Sequence, residues 1–138
     1  APNVPEISRI AQAVVAEGAD AITAINTMPA MLIDAIAAKP VLSNQTGGLS
    51  GPALKPIALR CVYELAQVVS VPIIGTGGVS SGKDAAEMLM AGATLVGVGS
   101  AVVRNGPSIF NRISGELSKF MSENGYAQLA DLRGRALP

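Results

Sequence analysis

The chain has no histidine, a single cysteine (Cys61), no tryptophan, and only two tyrosines and two phenylalanines among 138 residues. Without histidine it lacks the commonest general base at neutral pH, the commonest neutral metal ligand and the usual orienter of a nucleophile. One cysteine excludes an internal disulfide and a multi-cysteine metal centre. Ten basic and ten acidic residues make up 14% of the chain and cancel, so no basic field draws nucleic acid and no acidic tail is present. No apolar run approaches the roughly 20 residues of a membrane span, and no basic-plus-apolar leader pattern opens the sequence. The expectation is a soluble, cytoplasmic protein. What is abundant is aliphatic: the chain is 49% hydrophobic, with 15 glycines and nine prolines. That composition suits one domain with a sizeable core and many tight turns.

Two stretches organise the rest. Val71-Pro72-Ile73-Ile74-Gly75-Thr76-Gly77-Gly78-Val79 is an apolar run bounded by proline and glycine, followed by Ser80-Ser81-Gly82-Lys83-Asp84. Thr94-Leu95-Val96-Gly97-Val98-Gly99-Ser100-Ala101 repeats the pattern. Each predicts a strand buried on both faces, ending in glycine and leading into a helix. Glycine lets backbone N–H groups approach a ligand, and the following helix points its positive end at the same place. Twin cradles in consecutive βα units are how an eight-fold βα barrel holds a phosphate after its last two strands.

In chain order, Ile7, Ile10, Ala11, Val14 and Val15 form one helical stripe that Gly18 ends. A strand over 21–25 follows, with Asn26 and Thr27 at its C-terminal end. Residues 28–51 show no sustained period; Met28 to Asp34 and Lys39 to Leu42 read as short extended pieces of a long excursion, a length that suits a functional or site-covering segment. A helix over about 53–69 carries Leu54, Ala58, Cys61, Val62, Leu65 and Val69 on one face, and a short helix spans Asp84 to Ala91 before a Gly92 stop. A last helix over about 107–122 is expected to bury Ile109, Phe110, Ile113, Leu117, Phe120 and Met121, and the tail from Tyr126 is one more helical turn or a docking arm. The alternation demands a parallel α/β sheet with helices outside it. Three strands cannot close a barrel. Residues 1–138 are therefore expected to be the C-terminal three βα units of a TIM (β/α)8 barrel whose N-terminal part is absent, an expectation that the abrupt Ala1-Pro2-Asn3 opening supports. A small open α/β sheet is the alternative.

The phosphate candidates are Gly77, Gly78, Gly99 and Ser100; the plainer account is tight-turn glycines with an ordinary serine cap. Asn26 and Thr27 offer an amide and a hydroxyl that suit a planar ligand with ring amide and carboxylate groups, or else a strand-end Asx turn. Gly51 sits on the same rim, either as a turn glycine or where a flat ring or ribityl chain comes close. Cys61 lies on an apolar helix stripe and reads as a buried structural thiol. Lys55, Lys83 and Asp84 read as solvated helix-start charges, with Lys83 a weaker ligand candidate. No residue offers a general acid or base, so the chain holds a ligand without supplying the proton-transfer group.

Ile25-Asn26-Thr27, Thr46-Gly47-Gly48-Leu49-Ser50-Gly51-Pro52-Ala53-Leu54-Lys55-Pro56, Pro72 to Val79 and Val98-Gly99-Ser100 together resemble class 1 dihydroorotate dehydrogenase, most closely its 1B subtype. The resemblance spans nearly the whole chain in order and spacing. It implies an FMN-dependent barrel of pyrimidine (UMP) biosynthesis that oxidises dihydroorotate to orotate by hydride transfer from C6 to flavin N5, a cysteine removing the C5 proton. It implies FMN contacts at Ile25, Gly51, Gly77, Gly78, Gly99 and Ser100, and contacts with the dihydroorotate or orotate ring at Asn26 and Thr27. It also implies a partner subunit carrying FAD and a [2Fe–2S] cluster, and homo-oligomer formation. The departures are as informative. Cys61 does not align with the family's catalytic cysteine, which lies in the N-terminal half; the flavin-binding lysine falls before Ala1, and the upstream asparagines of the substrate site are missing. No catalytic residue is thus expected in this chain, and its exposed strand edges and inner surface are expected to pair with the N-terminal half of the barrel or another copy. Other readings are a related FMN barrel such as dihydropyrimidine dehydrogenase, a non-redox phosphate-binding synthase or lyase, or a non-catalytic domain.

Overall fold

The computed structural model describes residues 2–138; Ala1, part of the chain opening considered above, lies outside them. Helix α1 (Ile7–Ala16) leads to strand β1 (Ile22–Ala24), and a two-tier ribbon follows, made of β2 (Met28–Ala30), β3 (Ile33–Asp34), β4 (Lys39–Pro40) and β5 (Gly47–Leu49). A 3-10 turn over Pro52–Leu54 runs into α2 (Lys55–Ala66), then β6 (Ile73–Thr76), α3 (Gly82–Met90), β7 (Leu95–Gly97), α4 (Ser100–Asn105), α5 (Ile109–Glu123) and α6 (Leu129–Leu132). Strands β1, β6 and β7 form one parallel sheet in that order. Sequential parallel neighbours joined by helical crossovers form the arc of a barrel wall.

The register fixes which face is which. Ala24, Gly75 and Val96 lie in one row, and Thr23, Ile74 and Leu95 in the next. Alternation along a strand sends adjacent rows to opposite faces. A Cβ on Gly75 would lie 2.9 Å from Ala93 and 3.2 Å from the Met88 sulfur, so this row meets the outer helices at close range. The Thr23–Ile74–Leu95 row has no such cover, and Leu95 is 60% exposed. The expectation that every strand is buried on both faces therefore fails: on the central strand β6 Ile73 and Gly75 are buried, but Ile74 and Thr76 of the inner row are only half-buried. The edge strands β1 and β7 leave their inner face open, because all the large helices pack on the other side.

Helix α2 is the core element. Leu54, Ala58, Cys61, Val62 and Leu65 recur at helical spacing and are all buried, with Pro52 and Pro56 opening the two helical segments where a missing N–H costs nothing. Ile109 and Ile113 of α5 are buried in the same core. Two expectations need correction at this end. The single helix over about 107–122 is preceded by a separate α4, the two divided by Gly106 at φ +71 and Pro107. Phe110 is not buried: it stands one position round from the Ile109–Ile113 stripe and is 49% exposed near the open edge of β7. The tail is a helical turn, with Leu132 fully buried and Gly134 N and Ala136 N donating to Leu89 O and Met90 O.

Helices α1 and α3 end alike. At Gly18 and Gly92, with φ of +96° and +110°, a bond pair joins Gly18 N to Val15 O and Ala19 N to Val14 O, and likewise Gly92 N to Leu89 O and Ala93 N to Met88 O. This is the Schellman arrangement, which satisfies the last carbonyls and turns the chain toward the next strand.

The 28–49 excursion is a nested ribbon. Met28–Ala30 pairs antiparallel with Gly47–Leu49, and Ile33–Asp34 with Lys39–Pro40. Asp34 Oδ1 accepts from Ile36 N at 2.9 Å and Ala37 N at 3.0 Å to close the tip. No helix among the described residues is long and apolar enough to cross a membrane.

Leu65, in the last turn of α2, is fully buried. Its replacement by alanine should remove about 2–5 kcal/mol of stability, whereas Ile36→Ser, at the fully exposed ribbon tip, should change it by under about 0.5 kcal/mol. Denaturant unfolding of the two variants measures both.

Candidate functional site

The C-terminal ends of β1, β6 and β7 share one rim. Ile25 N donates to Thr76 O at 2.8 Å, carrying the pairing of β1 and β6 beyond the strands themselves. A cleft of about 570 Å³ opens there, a volume typical of small-molecule sites. Ile25, Gly51, Gly77, Gly78, Gly99 and Ser100 all line it, with Thr27. Asn26 does not. Its side-chain oxygen accepts from Thr27 N at 2.7 Å and from the Thr27 hydroxyl at 3.3 Å, and the residue borders a furrow between α1 and β1 instead. Lys83 is exposed and also lies off the cleft.

The glycines divide into two kinds. A Cβ on Gly78 (φ +75°) would meet Lys55 N at 2.7 Å and Gly51 O at 2.8 Å, and one on Gly77 would meet Ala58 Cβ at 2.7 Å. These two are required by packing against the start of α2. At Gly51 and Gly99, by contrast, a Cβ would meet nothing within 4 Å. Gly51, at φ +87°, needs glycine for its backbone; Gly99 has a negative φ of −110° and needs it for neither reason. At Gly99 the absence of a side chain leaves the backbone open to the cleft.

The donors facing this space are mostly backbone. The amides of Gly78, Gly99 and Ser100 donate to no carbonyl or side chain among the described residues. The helix after Gly77-Gly78 does not contribute as expected from sequence. The first amides of α3 are taken internally: Gly82 N donates to Glu116 Oε2 at 2.6 Å, and Asp84 N to the Ser81 hydroxyl at 3.1 Å. Those two amides are thus occupied, and Glu116 and Asp84 place negative charge beside this helix start.

Lys55 and Asp84 also differ from expectation, since neither is a solvated charge. Because α2 and α3 pack side by side, Lys55 Nζ lies 2.6 Å from Asp84 Oδ1 and 2.7 Å from Glu87 Oε2, while Asp84 Oδ2 accepts from Ser80 N at 2.9 Å and the Ser80 hydroxyl at 3.0 Å. Burial pushes the Asp84 carboxyl toward the neutral form. The bonds from Lys55 and Ser80 outweigh it and hold the pKa down at about 2. The same bonds from Asp84 and then Glu87 raise Lys55.

Several cleft residues were not singled out from sequence. Ser50 joins its hydroxyl at 2.7 Å to that of the candidate Ser100, fifty positions away, and ties the ribbon's exit to α4. Arg104, on the wall, makes no salt bridge among the described residues. It lies four residues after Ser100 on the same helix, a spacing that brings two side chains to one face. Ser80 lines the cleft through its tie to Asp84.

A parallel α/β arc of three strands with helices outside it and glycine loops around a rim cleft is the class of partial-barrel wall that the fold defines. The family model described as "Dihydroorotate dehydrogenase" matches residues 1–121, and the chain belongs to that family. It is 46% identical over 136 residues to the dihydroorotate dehydrogenase B (NAD(+)) catalytic subunit of Pyrococcus horikoshii, covering 99% of this chain and 45% of that protein. It is 48% identical over 135 residues to the subunit of the same name from Bacillus pumilus, covering 98% and 43%. Among solved structures, ligand-free DHODH from Eimeria tenella superposes with a TM-score of 0.83 at 28% identity, over 100% of this chain and 39% of that one. The chain thus spans just under half the length of these curated relatives.

Two outcomes are expected. Gly78→Ala should cost about 1–3 kcal/mol, from its positive φ and its contact with Lys55 N, while Gly99→Ala should leave unfolding unchanged. Asp84→Asn should cost roughly 2 kcal/mol at pH 7. A carboxylate with a depressed pKa stabilises the fold above the ordinary carboxylate range, and that contribution is lost as pH falls through the folded value of about 2. The gap between Asp84→Asn and wild type should therefore close between about pH 4 and pH 2. Thermal unfolding across that range measures it; a pH-independent gap would show that the carboxylate's charge is not what stabilises.

Proposed function

We propose that this chain is the C-terminal part of the catalytic subunit of a B-type dihydroorotate dehydrogenase, where it holds the phosphate and ribityl end of FMN and one edge of dihydroorotate. The observation that carries this reading is the open backbone at Gly51 and Gly99 facing one cleft, where a Cβ would otherwise stand in empty space. When bound, FMN would supply the two-electron acceptor for oxidation of dihydroorotate to orotate in pyrimidine biosynthesis.

The chain's own residues bind and orient. The amides of Gly78, Gly99 and Ser100 would donate to phosphate oxygens, and Arg104 would add a cation on the cleft wall. Helical side chains lean toward the N-terminus, so Arg104 can reach back over Ser100. Ile25 and Leu54 give the cleft an apolar wall that keeps water away. Thr27 would present its hydroxyl to the substrate, and Asn26 would exchange its bond to Thr27 for one to the ring. The base is supplied elsewhere. Cys61 is fully buried on α2 and burial raises its thiol pKa, so it stays protonated. A cysteine in the part of the enzyme that this chain does not cover would take the C5 proton. An electron-transfer subunit carrying FAD and a [2Fe–2S] cluster would receive the electrons, in the cytoplasm, with homo-oligomer formation.

Titration of the purified protein with FMN and with riboflavin, followed by flavin fluorescence, tests the reading. FMN should bind and riboflavin, lacking the phosphate, should bind at least ten-fold more weakly, a difference of about 1.4 kcal/mol or more. Gly99→Ala should weaken FMN by a similar factor, and Arg104→Ala should weaken it several-fold and reduce its salt dependence. Equal binding of the two flavins, or no binding of either, would overturn the proposal.

A further inference from the structure

We propose that Asp84 is a positioning residue, resting on the reading of the cleft as an FMN site: its carboxylate straps together two wall segments of that cleft, the start of α2 beside Gly51 and the Gly77–Ser80 loop. Its two oxygens go separate ways. Oδ1 holds Lys55 Nζ at 2.6 Å, and Oδ2 holds both the amide and the hydroxyl of Ser80 at 2.9 and 3.0 Å. Lys55 is anchored in turn by Glu87 at 2.7 Å, and Asp84's own amide is fixed by the Ser81 hydroxyl at 3.1 Å.

The strap runs behind the point of closest approach between the two segments. A Cβ on Gly78 would meet Lys55 N at 2.7 Å and Gly51 O at 2.8 Å, so the loop lies directly against the residue that the strap holds. Asp84 is 9% exposed and does not line the cleft, so it acts through Lys55 and Ser80 and not by touching a ligand. Backbone donors cannot re-aim as side chains can. A shift of a few tenths of an ångström in either segment therefore misdirects the amides toward an anion.

The test uses the purified protein carrying Lys55→Met, Asp84→Asn and the double substitution, with Leu132→Ala as a control. Leu132 is fully buried behind α3 in the second apolar cluster, away from the cleft, so its loss destabilises without touching the strap. Each single substitution should raise the FMN dissociation constant about ten-fold, and the double should be within two-fold of the worse single, because one device is broken either way. Leu132→Ala should lower the unfolding midpoint yet bind FMN within two-fold of wild type. Without flavin, hydrogen exchange should quicken over residues 51–55 and 77–80 in both strap variants and stay as in wild type there in Leu132→Ala. Multiplying effects in the double variant, unchanged FMN binding in the strap variants, or an equal loss in Leu132→Ala would overturn the inference. Should the wild type bind no FMN, the functional reading fails and exchange decides the strap: faster exchange in both segments supports it, unchanged exchange overturns it.

Discussion

At Gly78 there is room for a hydrogen atom and nothing larger. A Cβ there would press on Lys55 N and Gly51 O, at 2.7 and 2.8 Å, so the loop after β6 lies directly on the first turn of α2. Other features of the rim follow from that contact. It sets Gly51 and the Gly77–Ser80 loop side by side, leaves the Gly78 amide without a partner among the described residues, and brings α3 close enough for Asp84 to reach Lys55. Any residue but glycine would lift the loop away from α2 and widen the cleft on this side.

The sheet works toward the same end. Its outer face is closed by helices through rows of small residues, Ala24, Gly75 and Ala93, which let helices approach the strands closely. Its inner face carries Thr23, Ile74 and Leu95 in a half-covered row. Apolar surface of that kind is stable in water only when something covers it, and the family's relatives are roughly twice as long as this chain.

Much of this was legible in the residues. The stripe Leu54, Ala58, Cys61, Val62 and Leu65 states a buried helix with little ambiguity, and the proline- and glycine-bounded runs locate β6 and β7. Gly18 and Gly92 end their helices as their positions suggest, and the cleft glycines converge as the repeated loop pattern indicates. What escaped were the non-local pairings. The β2–β5 ribbon is built from three-residue strands, one of them Gly47–Leu49, whose two glycines read as a turn. Lys55 and Asp84 are 29 residues apart and each looks like an ordinary helix-start charge; only the packing of α2 on α3 makes them a pair. Phe110 looked buried because it is aromatic and adjacent to the stripe, but one step along a helix is about 100° around it. At Asn26 the local alternative weighed from sequence has its counterpart, since the side-chain oxygen accepts from the very next residue.

The poverty of ionisable chemistry and the wealth of glycine are two sides of one arrangement. A site built from side-chain charges can tolerate small displacements, since long side chains follow their ligand. A site built from the amides of Gly78, Gly99 and Ser100 cannot, because each donor's direction is set by the backbone that carries it. Such a site needs few charged residues facing the ligand but a rigid frame behind it. In this chain the ion network of Lys55, Asp84 and Glu87 is spent on the frame, and among the described residues Arg104 is the charged side chain on the cleft wall. Charge placed behind the site and glycine placed in it is how a chain with no histidine, one buried thiol and no net charge would form the anion-binding rim proposed above.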